Sequence, residues 1–291
     1  MPSYSIALLT HAESVNLADV ERFDAFRRTL PFASIYLYVH EVTDEVRSAL
    51  QKRDITLRFY TTANRFQLLR RMFTEVDADV FALADPISVS AAETGSMIHQ
   101  LVEGRKDMVI ASGIAVSDAE EGYRQMCHAL YGQNIRNPLS TWRVFSRRFV
   151  KSFAAFERGF PIELEWTIHA LELDIPLHQF DAEWDGQRYN TPAKSTRYSL
   201  NRFILNLQAR PLKWFGALTG ACLLGFLGYM LLTIGAFFDY DVPLTLTDAA
   251  IGGGICAVLT FLSALSGLAL HSISHQRREL KRLHFQQHST L

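Results

Sequence analysis

The stretch Ala-Asp-Val-Phe-Ala-Leu-Ala-Asp-Pro-Ile-Ser-Val, residues 78–89, is a short apolar run that ends on a carboxylate and a proline. Its β-branched and aromatic content, low charge and length predict a buried strand over Val80–Ala84. Asp followed by Pro commonly opens a turn, which is one account of Asp85. The other is chemical. Ligands of open α/β sheets bind outside the carboxyl ends of the strands, and a carboxylate there can hold a divalent metal against a phosphate.

Outward from this stretch, similar strand signals fall at Ser5–Leu9, Ile35–Val39, Thr56–Tyr60 and Met108–Ala111. Helical patterns lie between them at 15–29, 43–52, 64–76 and 90–103. Ser90 with Glu93 and Ser117 with Glu120 have capping-box spacing, and Gly104 stands where a helix C-cap is expected. The alternation predicts an α/β fold, a mostly parallel sheet with helices on both faces. Past residue 112 the rhythm changes. Helical patterns at 118–131 and 147–173 flank an irregular segment, Gly132–Thr141, and Asp181–Lys194 reads as polar loop.

The formal charge of −1 over 291 residues excludes a strongly basic nucleic-acid binder. Cys127, Cys222 and Cys256 are odd in number and lack metal spacing, so the sequence argues against a disulfide framework and for a reducing compartment around the soluble part. Met1-Pro2-Ser3-Tyr4 has no basic n-region, and no signal peptide is expected. Trp214–Phe238 and Ala249–Leu270 are free of Lys and Arg and each exceeds the roughly 20 residues that cross a bilayer, so both are expected to be transmembrane helices. Arg202, Arg210 and Lys213 precede the first span and Arg277, Arg278, Lys281 and Arg282 follow the second, whereas the connection carries Asp239, Asp241 and Asp248. The positive-inside rule then places both chain ends in the cytoplasm. The expected organisation is a cytosolic α/β domain at 1–190, an amphipathic juxtamembrane segment at 191–213, a transmembrane pair at 214–270 and a basic tail at 271–291. Gly216-Ala-Leu-Thr-Gly220 is a candidate helix-packing face, and the spans are a candidate surface for homo-oligomers. His271 and His275 share a helical face but read as interfacial rather than metal-binding, and Gly252-Gly-Gly254 lacks the Lys-Ser/Thr of a P-loop.

Several stretches resemble the family 2 glycosyltransferases, in particular the polyprenyl-phosphate glycosyltransferases related to dolichol-phosphate mannosyltransferase. Asp79-Val-Phe-Ala-Leu-Ala-Asp85 has the spacing of that family's Gly-Asp-strand-Asp segment. Leu101-Val-Glu-Gly-Arg-Lys-Asp-Met-Val-Ile-Ala-Ser112 resembles its next helix and strand, and Thr141-Trp-Arg-Val-Phe-Ser-Arg147 resembles its Gly-Phe-Arg-Leu-Phe-Ser-Arg. Arg188 with Ser195-Thr-Arg-Tyr198 is similar to its Arg…Gly-x-Ser-Lys-Tyr. The resemblance implies a GT-A nucleotide-sugar domain followed by a membrane hairpin in a bacterial inner membrane. It also implies transfer of a sugar from a nucleotide donor to a polyprenyl phosphate among the membrane lipids.

Carried over residue by residue, the resemblance gives Asp85 the catalytic and metal role, with Mg²⁺ or Mn²⁺ as the ion. Glu13, His40 and Asp44 join Asp85 in contact with the nucleotide sugar, and Arg143, Arg147, Arg188 and Arg197 contact phosphates of donor or lipid acceptor, for which arginine has bidentate geometry. The chain also departs from the pattern. Asp-x-Asp reads Asp85-Pro-Ile87, Asn-Glu reads Ala12-Glu13, Asp-Asp reads Val39-His40, and Gly-Ser-Arg reads Ala111-Ser-Gly113. These departures leave a second reading: a GT-A scaffold that serves as a membrane-anchored binding or assembly subunit. A third is a transferase with another donor, such as a phosphoribosyl compound.

Overall fold

A computed structural model describes residues 4–61, 64–85, 88–113, 118–153, 161–183, 207, 210–238 and 246–287. The chain divides into two compact units, Met1–Lys194 with Leu280–Leu291, and Ser195–Glu279.

The first unit is built on a seven-stranded sheet of β1 (Ile6–Ser14), β2 (Ala33–Glu41), β3 (Thr56–Phe59), β4 (Val80–Leu83), β5 (Met108–Ser112), β6 (Arg143–Ser146) and β7 (Leu177–Asp181), in the order β3-β2-β1-β4-β6-β5-β7. All neighbours are parallel except β6, which runs antiparallel to both β4 and β5. The connecting helices are α1 (Leu17–Thr29), α2 (Asp44–Gln51), α3 (Arg65–Glu75), α4 (Ala91–Glu103), α5 (Asp118–Tyr131), α6 (Arg147–Ser152) and α7 (Ile162–Glu172). Local chemistry starts them, at Ser90 where the sequence marks a cap and at Asn16 where it was not singled out. Asn16 forms a capping box with Asp19, and the Ser90 hydroxyl accepts from the Glu93 N–H. Central strands are buried on both faces, as parallel sheets covered by helices require. Leu8, Leu9, Leu37, Val80, Phe81 and Val144 are fully inaccessible. On one face Phe73, Phe145, Phe149 and Trp166 form an aromatic layer, with Phe145 edge-to-face on Trp166 at 5.1 Å.

Three features differ from the sequence expectation. The pattern at 147–173 is not one helix, because α6 ends at Ser152 and α7 begins only after Pro161, which occupies its N-cap. The segment around Arg143 is a central strand, and the polar run Leu177–Asp181 is an edge strand paired with β5.

In the second unit α8 (Pro211–Phe237) and α9 (Leu246–Gln287) are long and apolar enough to cross a membrane. They pack antiparallel: Gly267 lies against Phe215, Ser263 bonds Thr219 at 2.8 Å, Gly225 faces Cys256 and Gly252 faces Tyr229. Small residues let the backbones approach at these points. Gly216 and Gly220, the expected packing face, point elsewhere, with nothing within 4 Å of the position a Cβ would take. α9 continues through the basic segment after residue 270 to Gln287. The expected juxtamembrane helix at 191–213 lies outside the described residues except for Leu207 and Arg210–Lys213.

Candidate functional site

The strand order reverses direction at β1, whose neighbours are β2 on one side and β4 on the other. Pairing of β1 with β4 ends at Leu9↔Leu83, but pairing with β2 runs on to Ser14↔Glu41. The carboxyl end of β1 therefore overhangs β4 and opens a crevice at the switch point, where such sheets bind ligands. A cavity of about 790 Å³ occupies this place. His11, Glu13, Ser14, His40, Tyr60 and Arg65 line it together with apolar Leu68 from α3.

Glu13 and His40 thus come together at one cavity. The His40 and Tyr60 rings lie 5.9 Å apart at 39°, a partly aromatic wall, and burial with the nearby Glu13 carboxylate raises the Tyr60 pKa. His11 and Arg65 stand in the same cavity and had not been singled out from the sequence. Burial, then the Arg65 charge, lowers the His11 pKa to about 4, and the Asp85 carboxylate opposes the shift. Arg65 opens α3 behind the Asn64 cap, and its Nη2 lies 2.9 Å from Oε1 of Glu163, whose side chain is 2% exposed.

Asp85 follows β4. Its carbonyl accepts from the Ser88 and Val89 amides at 3.0 Å, so it does begin a turn, and its Oδ2 accepts from the Ser88 hydroxyl at 2.8 Å. The ladder bond from the Ala84 amide to the Leu9 carbonyl continues the register that sets Asp85 beside His11. Asp85 and His11 are the residues that could share a divalent ion. Among the described residues no group of three or more His, Cys, Asp or Glu side chains is placed to hold one. Two donors fit an ion that draws the rest of its shell from phosphate and water.

The remaining expected site residues are elsewhere. Asp44 starts α2, where its exposed carboxylate meets Arg47 at 3.4 Å. Arg143 cannot meet a lipid phosphate: it is wholly inaccessible, bonding the Ser140 and Pro138 carbonyls at 2.6 Å and the Thr167 hydroxyl at 3.0 Å, with its guanidinium against Trp166. Arg147 pairs with Asp77 at 3.0 Å beside the amino end of β4, roughly 20 Å along the strand from Asp85. Arg188, Arg197 and Ile87 lie outside the described residues.

This topology and crevice define a GT-A glycosyltransferase-like fold, here with two apolar C-terminal helices. Solved structures of glucosyl-3-phosphoglycerate synthase from Mycobacterium tuberculosis share it. One, in complex with phosphoglyceric acid, matches with a TM-score of 0.56 at 13% identity over 71% of this chain and 80% of that one. Another, in complex with Mn²⁺, uridine diphosphate and glucosyl-3-phosphoglycerate, matches with a TM-score of 0.55 at 15% identity. No protein-family model matches the chain. It is 32% identical over 155 residues to a Shigella flexneri protein described as uncharacterized, a match covering 50% of this chain and 93% of that one, and it belongs to the same family as that protein. It is also 27% identical over 109 residues to Protein RfbJ of Shigella flexneri, covering 37% of this chain and 84% of RfbJ.

Proposed function

We propose that the protein transfers a sugar from a nucleotide donor to a polyprenyl phosphate at the cytoplasmic face of a bacterial inner membrane. The observation that carries this reading is the crevice at the β1 switch point, where Glu13, His40 and Tyr60 line one cavity and Asp85 follows the adjoining strand β4. The ringed wall suits the flat base, and Asp85 with His11 suits the diphosphate end. A divalent ion, when bound, would neutralise charge on the departing diphosphate. In the reaction the bond from the anomeric carbon to the β-phosphate oxygen breaks, a bond to an acceptor phosphate oxygen forms, and the nucleoside diphosphate leaves. The acceptor is already an anion and needs orientation more than deprotonation, the role proposed for Arg188 and Arg197.

The purified chain, incubated with a panel of nucleotide sugars and a polyprenyl phosphate plus Mg²⁺ or Mn²⁺, should yield a glycosylated lipid by mass spectrometry. Asp85→Ala should abolish it with the fold intact. Nucleoside diphosphate binding without product from any donor would favour the membrane-anchored scaffold, a reading encouraged by Ile87 at the second acid position. Loss of donor affinity equal to the loss of acceptor use in Arg188→Ala or Arg197→Ala would assign those residues to the donor site instead.

A further inference from the structure

We propose that Arg65 is the fixed cation that meets the donor diphosphate in this chain, and that buried Glu163 is the residue that positions it. The proposal rests on the nucleotide-sugar reading above and names how its phosphate end is recognised.

The pair is asymmetric. Glu163 lies on α7, where every residue from Ile162 to Leu171 is buried, and its side chain is 2% exposed. A carboxylate at that depth requires a cation, since an unpaired buried charge costs several kcal/mol. Arg65 supplies it at 2.9 Å while its own side chain, 36% exposed, lines the cavity. A guanidinium can hold a carboxylate on one edge and a phosphate on another. The placement is also fixed from the other direction, because Asn64 accepts the Phe66 amide at 2.9 Å and so sets the first turn of α3, from which Arg65 projects.

Charge balance points the same way. Among the described residues two acids, Glu13 and Glu41, line the cavity, and Arg65 is the lining residue with a permanent positive charge. A dianionic or trianionic diphosphate in this crevice therefore finds its positive partner in Arg65, whose field already reaches His11. The competing account is an ion pair that only ties α3 to α7.

Calorimetry on the full-length protein in detergent, with pyrophosphate and orthophosphate as probes and EDTA present, separates the two. The wild type should bind pyrophosphate in preference to orthophosphate. Arg65→Gln should weaken pyrophosphate at least tenfold, the loss expected of one charged hydrogen bond. Arg65→Lys keeps the charge opposite Glu163 but loses the fork. It should melt within a few degrees of the wild type and still bind pyrophosphate at least fivefold more weakly. Glu163→Gln should cut the preference for pyrophosphate over orthophosphate at least fivefold, whatever its absolute affinity, because a cation released from its position discriminates by charge alone. Pyrophosphate affinity within twofold of wild type in Arg65→Lys and Arg65→Gln, or an unchanged preference in Glu163→Gln, overturns the proposal while leaving the transferase reading intact. A wild type that binds neither pyrophosphate nor any nucleoside diphosphate overturns both.

Discussion

Burial, and then the Arg65 charge against the opposing Asp85 carboxylate, keeps the His11 imidazole neutral down to about pH 4. In the unfolded chain the same group protonates near its ordinary pKa of 6.5. Between those values the unfolded state therefore holds more protons, so stability from this group is fully present above pH 6.5 and is lost as pH falls toward 4. His11→Gln should flatten that part of the dependence. Melting temperatures measured from pH 7 to pH 4.5 should drop less steeply in the variant than in the wild type, and parallel curves would show that the imidazole titrates normally. Arg143 makes a different claim. Replacing it with Ala strands the Ser140 carbonyl in the core and leaves the Pro138 carbonyl to the Thr167 hydroxyl alone, and at about 1–3 kcal/mol for an unsatisfied buried group the loss is about 1–3 kcal/mol. Thermal denaturation should show it, while pyrophosphate affinity below the melting point stays at the wild-type value. A selective loss of phosphate binding with normal stability would return Arg143 to the binding site.

Among the elements, those governed by local chemistry were legible. β4 follows from its run of buried apolar residues, and α4 from the Ser90 cap. The strand β6 was not, because an arginine at its start reads as a surface cation until the partners on Pro138, Ser140 and Thr167 are known. β7 escaped because Leu-His-Gln-Phe-Asp is polar, as an edge strand can afford to be. Half the candidate site was legible through the resemblance. Glu13 and His40 stand at the positions of the resembling family's Asn-Glu and Asp-Asp, whereas His11 and Arg65 are defined by the overhang of β1 past β4, a register no single sequence displays. The Asn64 cap was a usable signal for Arg65, since it puts that residue in a first helical turn after a strand. In the hairpin, the Gly-x-x-x-Gly spacing pointed to the wrong face because spacing alone does not say which side meets the partner helix. A Cβ at Gly252 would lie 2.5 Å from the Tyr229 ring, whereas one at Gly216 meets nothing within 4 Å. Gly252→Leu should therefore destabilise the hairpin by about 1–3 kcal/mol through overpacking, and Gly216→Leu should not. Melting of the two variants in detergent distinguishes the faces.

At the scale of the molecule, residues 280–291 belong to the same unit as the seven-stranded sheet. Lys281 pairs with Glu172 at the end of α7, and the Arg148 guanidinium, held by Asp107, lies 4.3 Å from the Phe285 ring centroid. If α8 and α9 span a membrane, the side that holds Lys281 and Phe285 thus holds the sheet and its crevice. The charges choose the side. Arg210 and Lys213 flank the start of α8 and Arg277, Arg278, Lys281 and Arg282 the end of α9, while Asp239, Asp241 and Asp248 lie at and between their other ends. Lys and Arg near span ends stay in the cytoplasm, so the crevice is expected on the cytoplasmic side. A fluorescent protein fused after Leu291 should be bright, and alkaline phosphatase fused at Asp241 should be active outside the cytoplasm. If both reporters score on the same side, α8 and α9 do not form a spanning pair. If they score on opposite sides but reversed, the hairpin stands and the cytosolic donor fails, because the sheet must follow the C-terminus to the outer face.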